Sequence, residues 1–149
     1  MKIIIVPVGK ERDFSANDLV GEYSLRIGHY MPIEWKYIPA STSAEEAAKI
    51  HKLIDEYGSG TQVMMLDEKG KEYSSVEFAG FMQKRLNEGV RTLIILIGGA
   101  YGFDQSVRER ATSMLALSRL TFPHQLVRLI LAEQLYRVCT IIKGEKYHH

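Results

Sequence analysis

The stretch "TLIILIGGAYGFD", Thr92 to Asp104, carries an apolar run without a break into Gly98-Gly99 and then Gly102. Apolar residues with so little alternation suit a strand covered on both faces, as in the interior of a parallel sheet. Glycines at the end of such a strand bring the backbone close to something else. This run spans Arg91–Gly98, and four more lie along the chain: Lys2–Val8, Glu34–Pro39, Thr61–Asp67 and the weaker Met114–Ser118.

Helical patterns separate these strands. Phe14–His29 places Leu19, Tyr23 and Ile27 at helical spacing. Ser43–Tyr57 opens with "STSAEE", in which Ser43 and Glu46 stand as in a capping box. Ser74–Asn87 repeats the device with Ser74 and Glu77 and stops before Gly89. Asp104 is placed to cap a short helix through Ala111, and a last helix runs from His124 to Ile142 and ends at Gly144. Alternating strands and helices predict an α/β fold, a parallel sheet with helices on both faces. With 149 residues and no linker or repeat, a single domain over residues 1–149 is expected.

The composition, 46% hydrophobic and 25% charged, is that of an ordinary globular protein. Cys139 is the single cysteine and cannot close an internal disulfide. With the short apolar run of "MKIIIVPVGKERD", this points to the reducing cytoplasm. The formal net charge is +1, yet residues 1–75 hold 9 Lys+Arg against 12 Asp+Glu, and residues 76–149 hold 10 against 6. Such a split arises by chance as readily as from a polyanionic partner of the second half. The histidines show no ligand spacing apart from His148-His149, so no metal site is expected.

The last helix bears on assembly. At about 100° per residue, Val127, Leu131, Leu135, Val138 and Ile142 share one face. Leu126, Ile130 and Ile141 lie near the opposite side, among Glu133, Arg137 and Thr140. A helix apolar on two stripes is covered on two sides, and a small sheet covers only one. A second subunit related by a two-fold axis is expected on the other, a covering loop being the alternative.

A dinucleotide site places G-x-G-x-x-G after the first strand, where this chain has "VGKERDF" with one glycine. The later G-G-x-x-G has the wrong spacing and lacks the Lys-Ser/Thr of a P-loop, so phosphate cradling is not predicted. A tight turn with positive φ accounts for an isolated Gly-Gly equally well.

More specific is the block "SRLTFPHQLVRLILAEQLYR", Ser118–Arg137, with the closing "KGEKYHH". Together with "VGK" at Val8–Lys10, "EYSLR" at Glu22–Arg26, "LD" at Leu66–Asp67 and "LIGG" at Leu96–Gly99, it resembles the SPOUT class of RNA methyltransferases. Within that class the chain is similar to the small bacterial family that methylates N3 of a pseudouridine in large-subunit (23S) ribosomal RNA. The resemblance implies a trefoil knot in about residues 92–149, a homodimer and action on ribosomal RNA, on assembled ribosomes. The cofactor it implies is S-adenosylmethionine, with contacts at Leu66, Gly98, Leu117, Ser118, Arg119, Leu120, Thr121 and Phe122. It further implies a catalytic set of His124, Arg128, Tyr147 and His148, the tail completing the acceptor pocket within one chain or across the dimer.

This resemblance suits the glycine spacing. A sulfonium cofactor has no phosphate to cradle, and bare backbone at Gly98-Gly99 leaves peptide groups free for adenosine, with Leu66, Leu117, Leu120 and Phe122 as apolar walls. His124, after Pro123 in a helical first turn, reads as a positioning group or base, or as a polar residue bonding a loop. Arg128, inside an apolar stripe, needs a partner: a carboxylate, a carbonyl or an RNA phosphate. Where relatives have an acid in the glycine loop this chain has Ala100-Tyr101, leaving Asp67 and Asp104 as the nearby carboxylates. A non-catalytic RNA- or ribosome-binding protein of the same fold is the alternative.

Overall fold

The structure, a computed structural model, describes residues 1–9 and 17–149. Lys10 of the "VGK" motif and the expected helix start at Phe14 lie outside the described residues. In chain order the elements are β1 (Lys2–Pro7), α1 (Asn17–Gly28), β2 (Ile33–Trp35), α2 (Ser43–Tyr57), β3 (Thr61–Glu72), α3 (Ser75–Asn87), β4 (Thr92–Ile97), α4 (Gln105–Arg110), β5 (Ser113–Ala116) and α5 (His124–Lys143). All strand pairs are parallel, in the order β2-β1-β4-β3-β5. The expected α/β sheet is therefore present.

Period-two alternation divides the core. Ile3, Ile5, Leu93, Ile95 and Ile97 face one side with Met82 of α3 and Leu131, Leu135 and Val138 of α5. Ile4, Val6, Ile94 and Leu96 face the other with Ile50 and Ile54 of α2 and Val107 of α4. Because β1 and β4 are buried on both faces, their sequence shows no polar alternation. The capping box at Ser74 and Glu77 is closed in both directions. At α2 the cap is Thr42 rather than Ser43: its hydroxyl accepts from the Glu45 N–H, while the Glu46 carboxylate accepts from the Ser41 N–H. The hydroxyl cap sits one residue earlier than expected, while Glu46 remains the carboxylate that reaches back.

Two strands depart from their sequence reading. β2 is only three residues, followed by a lone bridge from Ile38 to Val8. β3 runs five residues past Asp67, and its ladder to β5 shifts register so that Leu115 pairs with Leu66 and again with Lys71. The intervening residues 67–70 leave the ladder and return. Gly70 makes this possible. A Cβ there would stand 2.7 Å from the Leu115 carbonyl carbon and 2.8 Å from the Ala116 nitrogen, both backbone atoms that cannot swing away.

α5 lies between α1 and α3 over the sheet. Much of its two-sided apolar character is thus covered inside one chain, and Thr140, expected on the polar side, is fully buried with its hydroxyl donating to the Arg137 carbonyl. The two-stripe pattern alone does not require a second subunit. Leu126 stays 39% exposed at the amino-terminal end.

Gly70→Ala should cost about 1–3 kcal/mol or more, because rigid backbone must shift to admit the methyl. Gly80→Ala, in the exposed interior of α3 with nothing within 4 Å, should stabilise by about 0.5–1 kcal/mol. Urea unfolding of both variants checks the contrast.

Candidate active site

Every strand ends its carboxyl terminus on the same edge of the sheet, where ligands of open α/β folds bind. There the irregular stretch of β3 after Leu66, the loops after β4 and β5 and the start of α5 enclose a cleft of about 600 Å³. Leu66, Asp67, Glu68 and Lys69 form one wall, Ile97 through Ala100 and Gly102 the floor, and Leu117, Ser118, Leu120, Thr121 and Phe122 the other wall. Pro123, His124 and Val127 close it at the helix. A larger, shallower depression of about 930 Å³ lies along α1 and the β2 edge, but among strand flanks rather than converging loops.

The expected cofactor residues thus converge, with one correction. Arg119 is exposed and is not part of the lining. The Ser118 hydroxyl accepts from the Leu120 N–H, a turn that leaves the intervening side chain outside. Neither Gly98 nor Gly99 has positive φ. The bareness of Gly98 has a packing cause, since a Cβ there would meet the Phe103 ring at 3.1 Å, whereas one on Gly99 would make only ordinary contact with Val8 at 3.5 Å. Positive φ occurs at Gly102, whose N–H closes a turn onto the Gly99 carbonyl.

The charges of the cleft are arranged in pairs. Burial pushes the Asp67 carboxyl up, but the Lys69 N–H and the Arg108 guanidinium, 2.8 Å away, outweigh it and hold the group below its usual value. Asp67 therefore stays ionised and paired. Asp104 turns to its own helix, accepting from the Ser106 N–H and hydroxyl as the cap of α4. Of the two candidate acids, only Asp67 lines the cleft.

His124 and Arg128 meet at Gly9. A Cβ on that residue would stand 3.3 Å from Arg128 Nη2 and 3.5 Å from His124 Nε2, and its φ of +132° already excludes most side chains. Gly9 is held by its N–H donating to the Ile38 carbonyl. Its role was not legible beforehand; the only signal was a lone glycine after the first strand. Arg128 is 1% exposed with its guanidinium 5.2 Å from the Tyr37 ring centre. That burial leaves the guanidinium away from solvent in this conformation. Burial first, and the Arg128 charge second, push the His124 imidazole below its usual value.

The tail is elsewhere. α5 has 20 residues, so Tyr147 and His148 lie beyond a helix about 30 Å long from His124. The Tyr147 ring packs edge-on against Tyr136 with centroids 4.7 Å apart, and its hydroxyl donates to Glu133 at 3.2 Å. His148 Nδ1 lies 3.3 Å from Arg137, which also pairs with Glu133. Burial and this contact with Tyr23 and Glu133 push the Tyr147 phenol far up, so it remains a neutral donor. The expected catalytic set therefore forms two groups in one chain, not one.

A sequence model described as "Predicted SPOUT methyltransferase" matches residues 1–148. The chain belongs to the SPOUT methyltransferase family. Its relatives include "Ribosomal RNA large subunit methyltransferase H" of Cytophaga hutchinsonii, 43% identical over 155 residues and 100% of both chains. The protein of the same name from Trichlorobacter lovleyi is 41% identical, again over 100% of both. Among solved structures, the SpoU methyltransferase AviRb of Streptomyces viridochromogenes, in complex with AdoMet, aligns with a TM-score of 0.54 at 9% identity. The alignment covers 97% of this chain and 59% of that one. A probable methylase family protein from Haemophilus influenzae aligns at 0.57 and 12%, covering 99% and 70%. These two likenesses show the fold.

As a SPOUT methyltransferase the protein uses S-adenosylmethionine. The cleft fits it: glycine backbone lies at the floor, apolar side chains on the walls, and among the described residues the Arg108 guanidinium in the lining is already paired with Asp67.

The His124 imidazole should titrate below 6.5, followed by NMR of its ring protons. Between that lowered value and 6.5 the unfolded chain binds more protons, so stability should fall as pH drops through this window. His124→Gln should make that decline shallower. Gly9→Ala should displace the imidazole and strain the backbone, lowering methyl transfer more than about tenfold in single-turnover measurements.

Proposed function

We propose that this SPOUT methyltransferase methylates N3 of a pseudouridine in 23S ribosomal RNA, in the cytoplasm and on assembled ribosomes, as a homodimer. The observation carrying this reading is the full-length similarity to ribosomal RNA large subunit methyltransferases, joined to a cleft built from the residues of the motif block. S-Adenosylmethionine supplies a methyl group already activated by its sulfonium.

The chain's own residues supply the rest. Leu66, Gly98, Leu117, Ser118, Leu120, Thr121 and Phe122 hold the adenosine between apolar walls and bare peptide groups. His124, uncharged at neutral pH, orients the imide of the acceptor or takes its proton. Burial first, and the Arg128 charge second, keep that imidazole neutral beside Gly9. Alignment of donor and acceptor supplies a large share of the rate.

Tyr147 and His148 serve the acceptor base across the dimer. Support comes from their separation from His124 within one chain and from Leu126 being left partly exposed beside the cleft. The domain is read as one unit over residues 1–149, with the trefoil knot in about 92–149. In support, β5 is an edge strand whereas α5 lies between α1 and α3, so the chain must recross the end of β3.

Incubation with S-adenosylmethionine and ribosomes lacking the modification should give methyl incorporation at the single pseudouridine. His124→Ala should lower that rate by about 10²–10⁴ while cofactor affinity changes little. Cofactor and RNA binding without any incorporation would favour a non-catalytic role.

A further inference from the structure

Four charged side chains besides His124 line the cleft: Asp67, Glu68, Lys69 and Arg108. Asp67 and Arg108 neutralise each other at 2.8 Å. Lys69 and Glu68 are both exposed, but among the described residues no hydrogen bond or ion pair fixes the Lys69 ammonium. Glu68 differs from both. Its Oε2 accepts from the Thr121 hydroxyl at 3.1 Å, so its carboxylate is tied from one wall to the other across the mouth. Among the described residues it forms no ion pair.

The donor and product of methyl transfer have nearly the same shape and differ by one charge: a sulfonium before the reaction, a neutral thioether after it. Walls and backbone contacts cannot tell them apart; a carboxylate can. A cleft of about 600 Å³ is on the order of 8 Å across, within one Debye length at physiological salt. A sulfonium held anywhere inside it feels a negative charge fixed at the mouth by the Thr121 tether. We propose that Glu68, tethered by Thr121, is the residue that makes this site prefer S-adenosylmethionine over its demethylated product, S-adenosylhomocysteine, and so favours product release. This rests on the cofactor occupying the described cleft.

Titration calorimetry with both ligands tests it. Glu68→Gln keeps the acceptor for Thr121 and removes the charge. It should weaken S-adenosylmethionine by about three- to tenfold and leave S-adenosylhomocysteine within about twofold. Sinefungin, which carries an ammonium near the sulfonium position, should follow the donor. Thr121→Val, which breaks the tether and keeps the charge, should lower the preference for the donor, by less than Glu68→Gln does. An unchanged ratio in Glu68→Gln, or equal loss for both ligands, overturns the proposal. Failure of the unaltered protein to bind either ligand is a separate result and overturns the cofactor reading beneath it.

Discussion

The backbone of Gly70 lies against the backbone of Leu115 and Ala116, with no space between them for even a methyl group. On that contact the outer half of the sheet depends. It lets β3 leave its ladder at Leu66, place Asp67, Glu68 and Lys69 along the cleft, and rejoin β5 at Lys71. The wall opposite, residues 117–122, begins where β5 ends. Both sides of the cofactor cleft are therefore positioned by one close approach of two chain segments. A side chain at position 70 would push them apart.

From this wall inward the electrostatics follow from burial. Asp67 is drawn into the cleft and paired with Arg108, which keeps it charged, whereas His124 is half-buried beside Arg128 and kept neutral. Arg128 and His124 both approach Gly9, which offers no side chain at the junction. Three glycines, at positions 9, 70 and 98, thus each provide space for a different neighbour: an arginine–histidine pair, a strand and an aromatic ring.

The tail at the far end of α5 belongs to another cluster, in which Tyr136, Tyr147, Glu133 and Arg137 satisfy one another, and the Tyr30 hydroxyl donates to Glu145. The tail is thereby docked onto its own helix rather than left free. In a symmetric assembly a docked tail presents a defined surface, and ordering it on binding costs less than it would for a loose terminus.

Strand and helix identities were legible because burial on both sheet faces leaves apolar runs and because capping follows local rules, as at Ser74 with Glu77 and at Gly144. The cleft segment 117–122 was legible because the motif block holds its residues contiguously, although the turn at Ser118 sends Arg119 outward. The long end of β3, the shared role of Gly9, the burial of Arg128 and the distance from His124 to Tyr147 were not. Each of these depends on segments far apart in the chain meeting or failing to meet, and periodicity along the chain carries no information about such meetings. The sequence by itself determined which elements form and which residues belong to the cleft. Only the tertiary structure decided which of them touch, because packing α5 between α1 and α3 sets what lies at either end of that helix.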